Sequence, residues 1–531
     1  MFRMKSIVLG LANIVLGIGL LGCPGGGGGG GGSTAAFAVS TTAANFGVVG
    51  KAYTSTLAAT GGTAPFTWTV TGGVLPAGLL LNAGTGALGG TPTVAGNSTV
   101  VFTVTDSTGM TATGSVLFAI HPRTDVVSVD NSTPPLPGVG ASSSPSISSD
   151  GRFVAFASSA TLISGVSGTQ IYIHDWQTNQ TFLVSQNAVG TAGDGVSSQP
   201  TISSNGRFVA FTSASSNLTG DSSSAPSQIF LRDTQLNSTT LVSRATGVAG
   251  AVGDGASTQP TISADGRFVA FTSASSALTT DPDPGPTQIF LRDTQLNSTT
   301  LVSQATSGGV AVGNGTSSQP TISSNGQFVA FTSASSNLTT DPDPGPTQIF
   351  LRDTQLNSTT LVSQATSGGV AVGNGTSSQP TISVDGSFVA FTSASSNLTV
   401  DPSPGPSQIF LRDTQLSATT LVSRATGVAG AVGDGASSQP TISSSGQFVA
   451  FTSLATTLAL TPGGSGAQIF SRDTQANTTS LVSQTAVGGN AGNGASSQPT
   501  ISADGGFAAF SSVSTNLGAA GGNQIYVRAL P

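Results

Sequence analysis

From Arg123 to the C-terminus, apolar and polar residues follow a pattern that recurs with a long period. The clearest instance is Gln199-Pro-Thr-Ile-Ser-Ser-Asn-Gly-Arg-Phe-Val-Ala-Phe-Thr-Ser213. Near-copies begin at prolines 145, 200, 260, 320, 380, 440 and 499, at spacings of 55, 60, 60, 60, 60 and 59 residues. A period of this length marks a supersecondary unit that cannot bury its apolar faces alone and must stack on its neighbours. Within one unit the pattern predicts four strands: a, Pro200–Ser203; b, Arg207–Ser213; c, Gln228–Asp233; and d, Thr239–Ser243. Strands a and b are separated by Asn205-Gly206, the dipeptide of two-residue hairpin turns in which both residues take positive φ.

Strand b constrains the architecture most. Phe208 and Ala210 point to one face, Val209 and Phe211 to the other. A strand apolar on both faces must be covered on both, as in a propeller blade packed between two others. The chain ends supply a second constraint. The last unit stops after its strand c, Gln524-Ile-Tyr-Val-Arg-Ala-Leu-Pro531, and has no strand d. Asp125-Val-Val-Ser-Val129 precedes the first unit and matches a strand d. Pairing the two closes a ring of seven four-stranded antiparallel blades and removes the open edge.

The N-terminal part reads differently. Arg3 and Lys5 precede an apolar run from Ile7 to Leu21, the layout of an export signal. Leu20-Leu21-Gly22-Cys23 resembles the bacterial lipobox, which implies cleavage after Gly22 and lipid attachment to Cys23. Pro24 stands where enteric bacteria place Asp for inner-membrane retention, so the outer membrane is the expected location, facing periplasm or cell surface. Gly25 to Gly32 reads as a tether. The predicted division is 1–22 signal peptide, 23–34 lipidated Cys and tether, 35–122 a β-sandwich, and 123–531 the propeller.

Two resemblances rest on these segments. Leu75-Pro-Ala-Gly-Leu79, Gly90-Thr-Pro-Thr93 and Val104-Thr-Asp-Ser107 are similar to the signature of an immunoglobulin-like family of bacterial surface proteins, which implies a β-sandwich. The repeated Pro-x-Ile-Ser-x-Asp/Asn-Gly, Val-Ala-Phe and Gln-Ile-Phe/Tyr segments resemble the TolB-like propeller repeat. That resemblance implies an envelope scaffold that binds partners. The family's best-known members have six blades; this chain has seven units.

Composition narrows the function classes. All 22 acidic residues are Asp, and the net charge is −7, so there is no basic stripe to bind nucleic acid. Cys23 is the only cysteine, which rules out an intrachain disulfide. Without Glu, paired acid/base carboxylates would have to be two Asp. The two histidines, His121 and His174, have no evident nucleophile arrangement beside them.

Because strands alternate in direction, the short a–b and c–d connections share one face of the ring, and the long b–c and d–a connections share the other. The long loops are therefore the expected binding face. They carry Asp194, Asp221, Asp254, Asp281, Asp283, Asp341, Asp343, Asp401 and Asp434. Asp281-Pro-Asp-Pro-Gly285 and its copy from Asp341 offer oxygen atoms to calcium, but without the dense alternating ligands of calcium loops. Solvated Pro-rich turns are the preferred reading. The recurring Arg-Asp that ends strand c, as in Arg232-Asp233, reads as structural, its Asp capping the c–d turn. The expected function is a non-enzymatic lipoprotein, membrane-bound through Cys23, whose propeller binds an envelope protein without a cofactor. The alternatives are a carbohydrate-binding or adhesin-like surface protein and a propeller hydrolase.

Overall fold

The computed structural model describes residues 35–530 apart from 222–224, 281–286, 307–311, 341–346, 367–371, 402–405, 460–464, 488 and 520. Cys23, the glycine run, Asp281, Asp283, Asp341 and Asp343 therefore lie outside the described residues. Every regular element in the described chain is a β-strand.

Seven four-stranded antiparallel sheets form the propeller. Blade 2 is representative: strand a is Ser197–Ile202, b is Phe208–Ser213, c is Gln228–Asp233 and d is Ser238–Leu241, paired in that order. Val209, Ala210 and Phe211 are wholly buried, as strand b's two apolar faces require. Each core cluster spans two blades: Ala210 and Ile229 of blade 2 pack with Val269, Phe271 and Phe290 of blade 3. A single blade has no core of its own.

The ring closes as the leftover segments demand. Thr124–Val126 pairs antiparallel with Gln524–Ala529, with Asp125 opposite Val527. Ser128 Oγ donates to Gln524 Oε1 at 2.5 Å and accepts the Ile525 N–H at 3.0 Å. The same Gln–Ser–amide triad holds blade 1 through Gln170, Ser185 and Ile171.

Two local expectations are corrected. The a–b turn is not a two-residue turn with both residues at positive φ. Only the glycine takes positive φ (Gly206, +75°), while Asn205 Oδ1 accepts from Ser203 Oγ and the Arg207 N–H. The side-chain cap lets Asn205 stay in the right-handed region, and the preceding Ser203 N–H bonds the Phe208 carbonyl. Strand a also begins three residues earlier than Pro200, because a bulge at Gln199 (φ +52°) resets the register so that pairing resumes toward Ser197.

The N-terminal domain is a sandwich. One sheet orders Gly47–Val48, Thr111–His121, Gly96–Thr105 and Thr67–Gly72; the other orders Tyr53–Thr56, Ala87–Gly90 and Leu79–Leu81. Trp68, Phe102, Val104 and Phe118 fill the space between. Asp106 caps the turn at residues 106–110, accepting the Thr108 and Met110 N–H groups at 2.9 Å. The domain docks on blades 1 and 7: Phe46 and Val48 join the cluster of Trp176 and Phe507. His121 stacks on Trp176 at 4.6 Å, its Nε2 2.7 Å from the Trp176 carbonyl and its Nδ1 3.0 Å from Asp125.

Candidate binding site at the loops and rim

The axial channel is built by strands a. At the short-loop end, residues 149, 204, 264, 324, 384, 444 and 503 each donate a backbone N–H to the carbonyl of the next blade, and Ala503 returns to Ser149. This complete head-to-tail circle lies beside a ring of isoleucines around a cavity of about 150 Å³. At the long-loop end the bulged Gln199 turns its amide along the rim. Its Oε1 accepts the Gln259 N–H at 3.0 Å and the Thr212 hydroxyl at 3.1 Å. The relay repeats through Gln259, Gln319, Gln379 and Gln439, then from Gln498 to the Ser144 N–H. Ser144 stands where the other blades have Gln, so the relay is interrupted between blades 1 and 2. Sequence reasoning missed this rim. Its signal is a Gln one residue before each proline except the first.

Of the aspartates expected on the binding face, those among the described residues bond to neighbouring loops and side chains. Asp194 accepts the Ser216 N–H at 2.7 Å and the Ser216 hydroxyl at 2.6 Å, tying the d–a loop to the b–c loop. Asp254 does the same with Ser275 and Ser276, and their hydroxyls lower its pKa to about 2. Asp434 binds Thr456, whose hydroxyl lowers its pKa likewise. Asn314, Asn374 and Asn493 occupy the same position in other blades and make the same bonds. What the position needs is therefore an acceptor, not a charge. Asp221 and Asp401 form ion pairs with Arg244 (3.1 Å) and Arg424 (2.7 Å). Among the described residues, no three His, Cys, Asp or Glu side chains come together as a metal cluster. Asp233 caps the c–d turn, accepting the Gln235 and Leu236 N–H groups, and pairs with Arg207 at 2.6 Å.

A large recess lies toward the outer edge of the ring, between blades 1 and 2, with a volume of about 860 Å³. Ile163, Val166 and Leu183 give it apolar walls, and Phe182 stands over it with half its surface exposed. Arg232 and Asn237 line the side belonging to blade 2. The recess has a cause in the sequence. The d–a connection between bridge partners Gln186 and Ala192 has five residues, whereas that between Arg244 and Val252 has seven. The short connection folds on itself around Asn187, whose Oδ1 accepts the Val189 and Thr191 N–H groups. It meets blade 2 near its start, where the Gln186 and Asn187 carbonyls accept from Arg232 and Asn187 Nδ2 donates to the Asn217 carbonyl. The spacing of 55 combines this shortening by two residues with a b–c connection three residues shorter in blade 1, from Ser158 to Gln170, than in blade 2, from Ser213 to Gln228.

A family match bears on the N-terminal sandwich. Residues 34–121 match the family described as "Putative Ig domain". Among solved structures, the chain is similar to oligogalacturonate lyase from Vibrio parahaemolyticus, at 12% identity and a TM-score of 0.45, over 82% of this chain and 98% of that one. It is also similar to a "putative TolB" from Agrobacterium tumefaciens, at 14% identity and a TM-score of 0.32, over 75% and 92%. A prolyl endopeptidase structure matches at 12% identity and a TM-score of 0.44, over 74% of this chain and 50% of that one. A comparison with curated protein sequences finds no match.

Proposed function

We propose that this chain is an exported lipoprotein, held at the outer membrane by lipid on Cys23, whose propeller is a non-enzymatic scaffold for an envelope protein. The observation that carries the reading is the recess between blades 1 and 2, where an otherwise regular ring leaves a large, apolar-walled gap under the exposed Phe182. Such a gap is a binding feature: concave, largely apolar and edged by a few polar groups. The charged groups nearby serve architecture: Arg207 pairs with Asp233, and Arg232 binds loop carbonyls.

Two measurements test the two halves. Cys23→Ser moves the protein from the membrane fraction to the soluble fraction if lipid is the anchor; unchanged membrane association refutes it. Crosslinking in intact cells gives an adduct with an envelope protein that Phe182→Thr abolishes, Thr being the residue that blade 2 carries there as Thr240. Phe182 also favours a second reading, because an exposed aromatic ring is a platform for sugar stacking. Glycan binding that depends on Phe182, with no protein adduct, selects that reading instead.

A further inference from the structure

At the gap between blades 2 and 3, the chain itself shows what such a gap accepts. The d–a loop runs across the rim as Ala245-Thr246-Gly247. Arg292 of blade 3 donates to the Ala245 carbonyl at 2.9 Å and to the Gly247 carbonyl at 3.1 Å. The Gly247 N–H reaches the Asn297 carbonyl at 2.7 Å. The Thr246 hydroxyl accepts the Thr299 N–H at 3.0 Å and donates to the Thr299 carbonyl at 3.3 Å. One hydroxyl thus covers the outward backbone of the edge strand. Ala425-Thr426-Gly427 repeats the arrangement on Arg472, Asn477 and Thr479. Thr306 and Thr366 cap Thr359 and Thr419 in the same way.

Blade 2 presents the same receptor only partly filled. The Gln186 and Asn187 carbonyls accept from Arg232 Nη1 at 3.4 and 3.3 Å, but among the described residues nothing stands in the places of Thr246 and Gly247. Arg232, Asn237 and Thr239 stand in the register of Arg292, Asn297 and Thr299. The shortened loop of blade 1 stops at Gln186-Asn187, so among the described residues nothing caps the outward Thr239 N–H and carbonyl. Arg232 Nη1 also donates to the Asn237 carbonyl at 2.9 Å, the group that a residue in the place of Gly247 would engage. Its Nη2, whose counterpart on Arg292 also holds the Gly247 carbonyl, donates to Asn237 Oδ1 at 3.1 Å. Burial gives independent support. Of the seven threonines at this position, Thr124, Thr181, Thr299, Thr359, Thr419 and Thr479 are buried and Thr239 is not. On blade 1 the edge is sealed by Asn131, whose amide bonds both the Thr181 N–H and its carbonyl.

We infer that the gap between blades 1 and 2 binds an extended peptide segment of another protein, with Thr or Ser flanked by small residues. Its hydroxyl caps Thr239, the carbonyl of the following residue meets Arg232 Nη2 as that of Gly247 meets Arg292, and an apolar side chain beyond them lies against Phe182. This inference rests on the scaffold reading and names the partner's chemistry.

The test uses the full-length protein and a fluorescent peptide copying residues 244–252. Saturable binding is expected, at least tenfold weaker for a peptide with Val in place of the Thr. A variant in which residues 187–191 are replaced by the seven residues 245–251 fills the gap from within. It should lose peptide binding and unfold at a higher urea concentration than the parent. Absence of binding to the parent, or binding that survives the graft, overturns the inference; a dimer abolished by the graft also does, because the occupant is then a second copy. If the peptide fails while the Phe182-dependent crosslink survives the graft, this inference falls and the scaffold reading stands.

Discussion

His174 makes the acid stability of the propeller depend on one side chain. The equivalent position is Arg in the other six blades, at 232, 292, 352, 412, 472 and 528. His174 is 1% exposed, and its Nδ1 lies 3.0 Å from Thr181 Oγ1. Thr181 spends its own proton on the Val129 carbonyl at 2.7 Å, so Nδ1–H is the donor in the first bond. Nε2 is left buried without a partner. A second proton would sit there with no acceptor and little solvent, and burial pushes the His174 pKa down to about 4. The sign follows. Above pH 6.5 the ring is neutral in both folded and unfolded chains, and the full stability is present. As the pH falls, the unfolded chain takes up the proton first, so stability drops until the folded state also titrates near pH 4. At about 1.36 kcal/mol per pH unit, the loss over that window is roughly 3 kcal/mol. His174→Gln removes the titration. Urea midpoints measured from pH 7.5 to 4 should fall more steeply for the parent than for the variant. Other acidic groups titrate in both proteins and cancel in the difference. Parallel profiles would refute the burial argument, as would a His174 NMR titration near 6.5.

Two further predictions address the ring. Ala at Gly326 would place its Cβ 2.3 Å from the Phe268 ring of the preceding blade, at φ +77°. The left-handed backbone costs about 1–2 kcal/mol and the overpacking about 1–3 kcal/mol, whereas Gly220→Ala, which meets nothing within 4 Å, should leave the urea midpoint unchanged. Arg207→Gln should cost less than about 1 kcal/mol, because the pair is partly solvated and Gln327 and Gln447 already replace the Arg in blades 4 and 6. Asp233→Ala should cost about 1–3 kcal/mol, because the Gln235 and Leu236 N–H groups lose their acceptor. Equal urea midpoints for the two variants would reverse that ranking.

The repeating fold was legible because its signals are redundant. Phe208 to Phe211 is apolar on both faces in every copy, and the Val126 segment has no role except to complete the last blade. What stayed hidden depends on contacts between copies. Nothing local in Gln199-Pro200 announces positive φ, since the bulge exists to send the amide to the neighbouring Gln259. The loop aspartates looked like free ligands because composition does not reveal that Ser216 and Ser276 sit across from them. The recess was half-legible. The shorter first period was visible, but which strand it would uncover required the register of blade 2 against blade 3.

The closing strand also imposes an order on biosynthesis. Thr124–Val126 is made about 400 residues before its partner Gln524–Ala529. At about 5–20 residues per second, the interval between them is roughly 20–80 s. During that time the segment has no mate, and the first blade has no neighbour on its blade 7 side. A chain so arranged cannot lock its ring before Gln524–Ala529 has been made. The delay leaves the end faces of the blade stack bare, which makes the interval before closure the period of greatest exposure to aggregation.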